Sequence, residues 1–145
     1  MGLTLPDPVM SVEDLTAFLA EAFPVARRPY DVVSVTAEGV VLRAPIGVEH
    51  ERPGGTVSGP TLMGLADAAA WLATLSRIGP VALAVTSSLS INFLRKPEMV
   101  DVYAEAELLR LGRRQSVTDV RMRSGVGGPL VAQATVTYAI PVESP

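Results

Sequence analysis

Residues 58–76, SGPTLMGLADAAAWLATLS, contain one charged side chain, Asp67. Leu62, Met63, Leu65, Ala66, Ala68, Ala69, Ala70, Trp71, Leu72 and Leu75 surround it. As a helix this stretch is apolar nearly all round, and such helices are buried rather than laid on a surface. A carboxylate carried into the interior is costly unless it is paired, hydrogen-bonded or neutralised. Asp67 is therefore the first residue to weigh for chemistry. The length approaches that of a membrane span, but Asp67, two glycines and several hydroxyls argue against one.

The chain beyond this stretch is strand-like. In residues 83–94, Leu83, Val85, Ser87, Leu89, Ile91 and Phe93 fall on one face of a strand. Ala84, Thr86, Ser88, Ser90, Asn92 and Leu94 fall on the other, the alternation of a half-buried strand. Residues 102–109, 115–122 and 130–140 read as three further strands. Breaks fall at Arg95-Lys96-Pro97, Leu111-Gly112-Arg113 and the Gly125–Gly128 turn. Upstream, Ser11 caps a short helix with Glu13 and Asp14 in its first turn and Leu15, Phe18, Leu19 and Ala22 on one face. Pro24 is expected to end that helix. Runs 31–37 and 40–45, joined at Glu38-Gly39, read as a hairpin. Residues 46–61 read as a loop. Helices and strands are segregated, so the expected class is α+β, an antiparallel sheet with its last four strands in a meander, wrapped around the apolar helix. We expect residues 1–29 to form an N-terminal helix with connectors and 30–145 a single domain.

Composition narrows the chemistry. Of 145 residues, 19% are charged, against about 25% in ordinary soluble domains. The apolar surplus points to surface hidden between subunits. A net charge of −3 gives no reason to expect nucleic acid as a partner. The chain has no cysteine, which removes disulfides, thiolate metal sites and a cysteine nucleophile. That fits a reducing cytoplasm. The N-terminal residues have neither the basic region nor the apolar run of a signal peptide. His50 is the only histidine, so a zinc site has little to draw on. No Gly-x-Ser-x-Gly elbow supports a serine triad. The Gly125–Gly128 segment joins two strands and lacks the following helix that a phosphate cradle needs.

Four segments, 52–67 (RPGGTVSGPTLMGLAD), 84–96 (AVTSSLSINFLRK), 104–114 (AEAELLRLGRR) and 131–141 (VAQATVTYAIP), carry a resemblance in their order and spacing. Together they resemble the PaaI-like acyl-CoA thioesterases of the hotdog fold. The resemblance implies an antiparallel sheet around one long central helix, a homodimer or dimer of dimers, and hydrolysis of an acyl thioester to free acid and CoA. It implies no metal or redox cofactor, no nucleic acid and no membrane. Asp67 then acts as general base or nucleophile on a thioester held by the partner subunit. The helix start at Gly59 polarises its carbonyl through a backbone N–H. Ser58, Thr61 and Gly55 belong to the substrate-binding surroundings, and Arg95 and Lys96 to the CoA phosphates. Arg113 and Arg114 form a second basic pair.

The chain departs from the family where many relatives carry His-Gly-Gly nine residues before the aspartate. Here the word is Ser58-Gly59-Pro60. An upstream Asn corresponds to Arg52, and the Thr that often follows the aspartate is Ala68. Each assignment has a plainer counterpart. Asp67 can be a structural carboxylate bonded to a neighbouring hydroxyl. Gly59 can serve a tight loop-to-helix turn, and Ser58 an N-cap. Ser87, Ser88 and Ser90 can line a solvent or interface face, His50 a loop, and the basic residues a solvated surface. Two rival functions remain: an acyl-CoA-binding hotdog protein without catalysis, and another hotdog enzyme on acyl thioesters, such as a dehydratase. The latter needs a histidine acting with an acid, and His50 lies well ahead of the helix.

Overall fold

A computed structural model describes residues 5–23 and 29–142. Helix α1 (Val12–Ala22) opens with a reciprocal cap. Ser11 Oγ accepts from Asp14 N–H at 3.1 Å, and Ser11 N–H donates to Asp14 Oδ2 at 3.0 Å. Its apolar stripe buries Leu15 and Leu19. The backbone N–H groups of Val9 and Met10 donate to Ser76 O, at 2.7 and 3.3 Å, and tether the segment to the central helix. Pro24 lies outside the described residues.

Strands β1 (Asp31–Val35) and β2 (Gly39–Ala44) form the expected hairpin. A Cβ at Gly39 would collide with the Ala106 carbonyl of the neighbouring strand, so only glycine fits this approach. The segment read as a loop contains more structure than that. A 3-10 turn (Val48–His50) leads into a small hairpin of β3 (Glu51–Arg52) and β4 (Thr56–Val57). Gly54 and Gly55, with φ of 106° and 75°, supply its turn. Two-residue strands are too short to show a periodic pattern, which is why the sequence did not reveal them.

Helix α2 (Gly59–Ile78) is the long central helix. Ser58 caps it, and the Gly79 N–H closes its end on Leu75 O. Leu62, Leu65, Leu72 and Leu75 are fully buried. Each contributes roughly 1.5–3 kcal/mol by leaving water. Residues 72–77 are buried all round, whereas Thr61, Gly64, Asp67, Ala68 and Trp71 remain half-open and Met63 is exposed. Arg77, the first charge after the apolar stretch, is also buried. Its guanidinium donates to Thr36 O at 2.6 Å and Ala37 O at 2.8 Å, binding the helix end to the β1–β2 turn.

Four strands complete the sheet, β5 (Val85–Phe93), β6 (Val102–Leu111), β7 (Gln115–Ser124) and β8 (Leu130–Ala139). The sheet order is β1-β2-β6-β7-β8-β5. The expected four-strand meander is therefore a three-strand one, and β5 crosses to the far edge to pair with β8. Inner positions line up across the sheet, for example Val40, Ala106, Val120, Ala134 and Ile91 in one row. Alanines alternate with larger side chains there and on the facing side of α2, so the helix can nest closely in the curved sheet. Thr74 Oγ1 and Ser116 Oγ, 2.7 Å apart, satisfy one another inside this contact.

One register detail departs from the sequence reading. Leu89 pairs with Val136, Ser88 with Thr137, but Thr86 with Tyr138, so Ser87 is an extra residue, a β-bulge. Strict alternation would turn Thr86 outward with Ser88 and Ser90. The bulge inverts the alternation and turns Thr86 inward, toward α2.

Candidate active site

Asp67 lies in the middle of α2, where its carboxylate is held by two strand hydroxyls. Thr86 donates to Oδ1 at 2.5 Å and Tyr138 at 2.8 Å. The Tyr138 hydroxyl also lies 3.1 Å from the Asp67 backbone oxygen. Among the described residues Oδ2 accepts no hydrogen bond. Tyr30 covers the helix one turn earlier, where a Cβ on Gly64 would sit 3.2 Å from its hydroxyl. Burial, and secondarily the Asp67 charge, pushes the Tyr30 phenol up. Burial is also the main cause that pushes the Tyr138 phenol up; a bond with Thr86 opposes it and the Asp67 charge adds to it. Tyr138 therefore stays protonated and donates.

These shifts carry a stability consequence with a definite sign. In the unfolded chain a tyrosine ionises near its ordinary value of 10.0, below the folded value of Tyr138. The unfolded state then binds fewer protons, so stability is intact below about pH 10 and falls as pH rises through the folded value. Tyr138→Phe should flatten the alkaline decline in melting temperature between about pH 9 and 12, and Tyr30, whose phenol is also pushed up, adds to that decline. An unchanged alkaline slope in the variant would contradict this assignment.

The other predicted residues gather at the start of α2. Gly59 has no acceptor for its N–H among the described residues, and it lies against Phe93, whose Cζ would be 3.4 Å from a Cβ there. Free N–H groups and the positive dipole end make this a place for developing negative charge. Pro60 contributes no donor. Ser58 is the N-cap, its Oγ accepting from Thr61 N–H at 3.4 Å and lying 2.7 Å from Thr61 Oγ1. A groove of about 510 Å3 runs past Gly59, lined by Arg52, Thr56, Phe93, Arg95 and Lys96 among others. The fold brings Arg95 and Lys96 into the same groove as Gly59, and the β3–β4 hairpin brings Arg52 to join them. Gly55 belongs to the hairpin turn rather than to the groove lining. His50 is a loop support: its Nδ1 accepts from Gly47 N–H at 2.9 Å and its carbonyl from Ser58 N–H at 2.8 Å. Arg113 and Arg114 sit at the β6–β7 turn, away from this groove. Thr86, Tyr138 and Tyr30 escaped the sequence reading. A tyrosine at an inner position of the last strand was visible, but its partner on the helix was not.

Within one chain the two halves of the site are apart. Asp67 follows Gly59 by eight helical positions, about 12 Å along the axis.

The thioesterase superfamily model matches residues 54–131, which include α2, β5, β6 and β7. The chain belongs to the thioesterase superfamily. A putative thioesterase from Silicibacter sp. TM1040 is 36% identical, with a TM-score of 0.85 over 94% of this chain and 95% of that one. A mutant form of the phenylacetic acid degradation protein PaaI from Thermus thermophilus is 29% identical, with a TM-score of 0.68 over 84% and 97% of the two chains. A Haemophilus influenzae thioesterase, 20% identical, shares the fold at a TM-score of 0.78 over 95% of each chain. No curated protein sequence matches the chain. The wrapped helix and six-stranded sheet are thus the hotdog fold of PaaI-like thioesterases. Family and neighbours together support thioester hydrolysis as the activity. Among the described residues no helix is long and apolar enough to cross a membrane.

Proposed function

We propose that this thioesterase hydrolyses acyl-CoA esters as a homodimer, each site built from both chains. The observation that carries the reading is the edge strand β5. Its one sheet neighbour among the described strands is β8, and its surroundings expose Leu83 at 79%, Val85 at 58%, Phe93 at 54% and Leu94 at 54%. A long, unpaired edge with exposed apolar side chains at both of its ends invites a second strand. Asp67 is bonded to Thr86 near one end of β5, while Gly59 lies against Phe93 at the other. Antiparallel pairing of two β5 edges about a two-fold axis lays one chain's Thr86 end beside the partner's Phe93 end. That pairing brings Asp67 to the helix start of the opposite subunit, a juxtaposition one chain cannot make.

In this arrangement the Gly59 N–H polarises the thioester carbonyl and stabilises its oxyanion. As a base, Asp67 takes a proton from water while the water oxygen bonds to the carbonyl carbon. The oxyanion then collapses, the C–S bond breaks, and the proton passes to sulfur, giving the acid and CoA. As a nucleophile, the carboxylate instead bonds to the carbonyl carbon and expels the thiolate, leaving a mixed anhydride; water opens the anhydride to the acid and the free carboxylate, and its released proton goes to the thiolate. Arg52, Arg95 and Lys96 supply the positive charge that CoA phosphates require, arginine through paired donors and lysine as a point charge. The cysteine-free chain suits a reducing, cytoplasmic setting.

Thiol release from a panel of aromatic, short-chain and long-chain acyl-CoA esters tests the proposal. The protein contributes no thiol of its own to the assay. Release from at least one class is expected, and its absence from all would refute CoA-ester hydrolysis. Pro60, which removes a donor from the helix start, favours the rival reading of a binding protein. Tight CoA-ester binding without release would establish that reading instead.

A further inference from the structure

We infer that Tyr138 and Thr86 are positioning residues for Asp67: their hydroxyls hold Oδ1 and leave Oδ2 as the oxygen that works on the substrate. The inference rests on the catalytic role proposed for Asp67 and goes beyond it, since it says which oxygen reacts and what aims it.

Three observations converge. Both donors go to the same oxygen, at 2.5 and 2.8 Å. Two hydroxyls serving a merely buried carboxylate would be free to serve one oxygen each. Tyr138 also reaches the Asp67 backbone oxygen at 3.1 Å, so the side chain is tied to its own turn of helix as well as to the sheet. The second observation is the bulge at Ser87. It interrupts the ladder, and its local effect is to bring Thr86 inward, opposite Tyr138 in the β5–β8 register. Bulges re-aim side chains in this way beside active sites. The third is placement. The clamp lies on β5 and its neighbour β8, the strands nearest the proposed subunit boundary, so it sets the carboxylate relative to the edge across which the substrate is held.

A free Asp side chain rotates about two bonds, and its two oxygens exchange roles. The clamp removes that exchange before substrate arrives. Whether Oδ2 accepts a proton from water or bonds to the carbonyl carbon, it is the oxygen with an open lone pair. Misplacing a reacting group by about 1 Å can cost on the order of 10²-fold in rate.

The test is steady-state hydrolysis of the best acyl-CoA ester by Tyr138→Phe, Thr86→Val and Thr86→Ser, with Asp67→Asn alongside and melting temperatures for all. Tyr138→Phe and Thr86→Val are each expected to lower kcat by roughly 10- to 100-fold, with KM nearly unchanged. Thr86→Ser, which keeps the hydroxyl, should recover most of the rate. Folded Tyr138→Phe and Thr86→Val proteins with wild-type kcat would overturn the inference, as would a loss in Thr86→Val that Thr86→Ser shares. If Asp67→Asn is inactive while the clamp variants are not, this inference alone fails. If Asp67→Asn keeps its rate, or the wild type hydrolyses nothing, the reading beneath it fails too.

Discussion

Asp67→Asn is expected to slow thioester hydrolysis by on the order of 10²–10⁴-fold, the range that a positioned acid–base group contributes. The substitution is close to isosteric. An amide oxygen can still accept from Thr86 and Tyr138, whose hydroxyls reach Asp67 in the wild type, so the fold and the clamp geometry should persist. What disappears is an oxygen able to take a proton or form an anhydride. The loss should therefore fall on kcat, with KM and melting temperature nearly unchanged. Thiol release at saturating ester measures the first, and a thermal melt the last. A folded Asp67→Asn protein with wild-type turnover would return Asp67 to a structural role, that of a carboxylate bonding the helix to β5 and β8.

Mixing two inactive variants should restore activity. Gly59→Val places branched carbons where the backbone N–H must approach the thioester, since even a Cβ there would lie 3.4 Å from Phe93 Cζ. On its own it should be nearly inactive, as should Asp67→Asn. If each site takes its helix start from one chain and its carboxylate from the other, a mixed dimer has one site with both defects and one intact site. Equal mixing with full subunit exchange makes half of the dimers mixed, so about a quarter of wild-type activity should return. A site built within one chain would gain nothing. Sedimentation of the wild type supplies the companion result: a chain that stays monomeric at assay concentration contradicts the shared site.

The sequence was most legible where a single period governed a whole element. The alternating faces of β6, β7 and β8 and the stripe of the capped α1 derive from local patterning, because each buries one face, and the 59–78 helix stands out by its unbroken apolar run. Pairing order was not legible. Nothing in the residues of β5 says that it joins β8 rather than β6, since a long connection and a short turn both satisfy its alternation. The bulge was hidden for a related reason: Ser87 sits in a run of small polar residues, where an inserted position leaves no mark on the hydrophobic pattern. That one residue decided whether Thr86 met Asp67, and so half of the carboxylate's surroundings was out of reach. Asp67 stood out because a charge in an apolar helix is expensive. Tyr138 did not, because an inward tyrosine in a strand is ordinary.

The sheet order also sets a schedule. β5 is synthesised before β6, β7 and β8, yet its sole partner among the described strands is β8, the last of them in the chain. While the chain is emerging from the ribosome, β5 has no template to lie against. The meander of β6 and β7 can form beside β2 in the meantime. The edge that we assign to subunit pairing is thus completed only when residues 130–139 arrive. Nascent chains on neighbouring ribosomes cannot zip together through a finished edge until each has made nearly all of its own sheet, so late pairing of β5 delays assembly until folding is almost done.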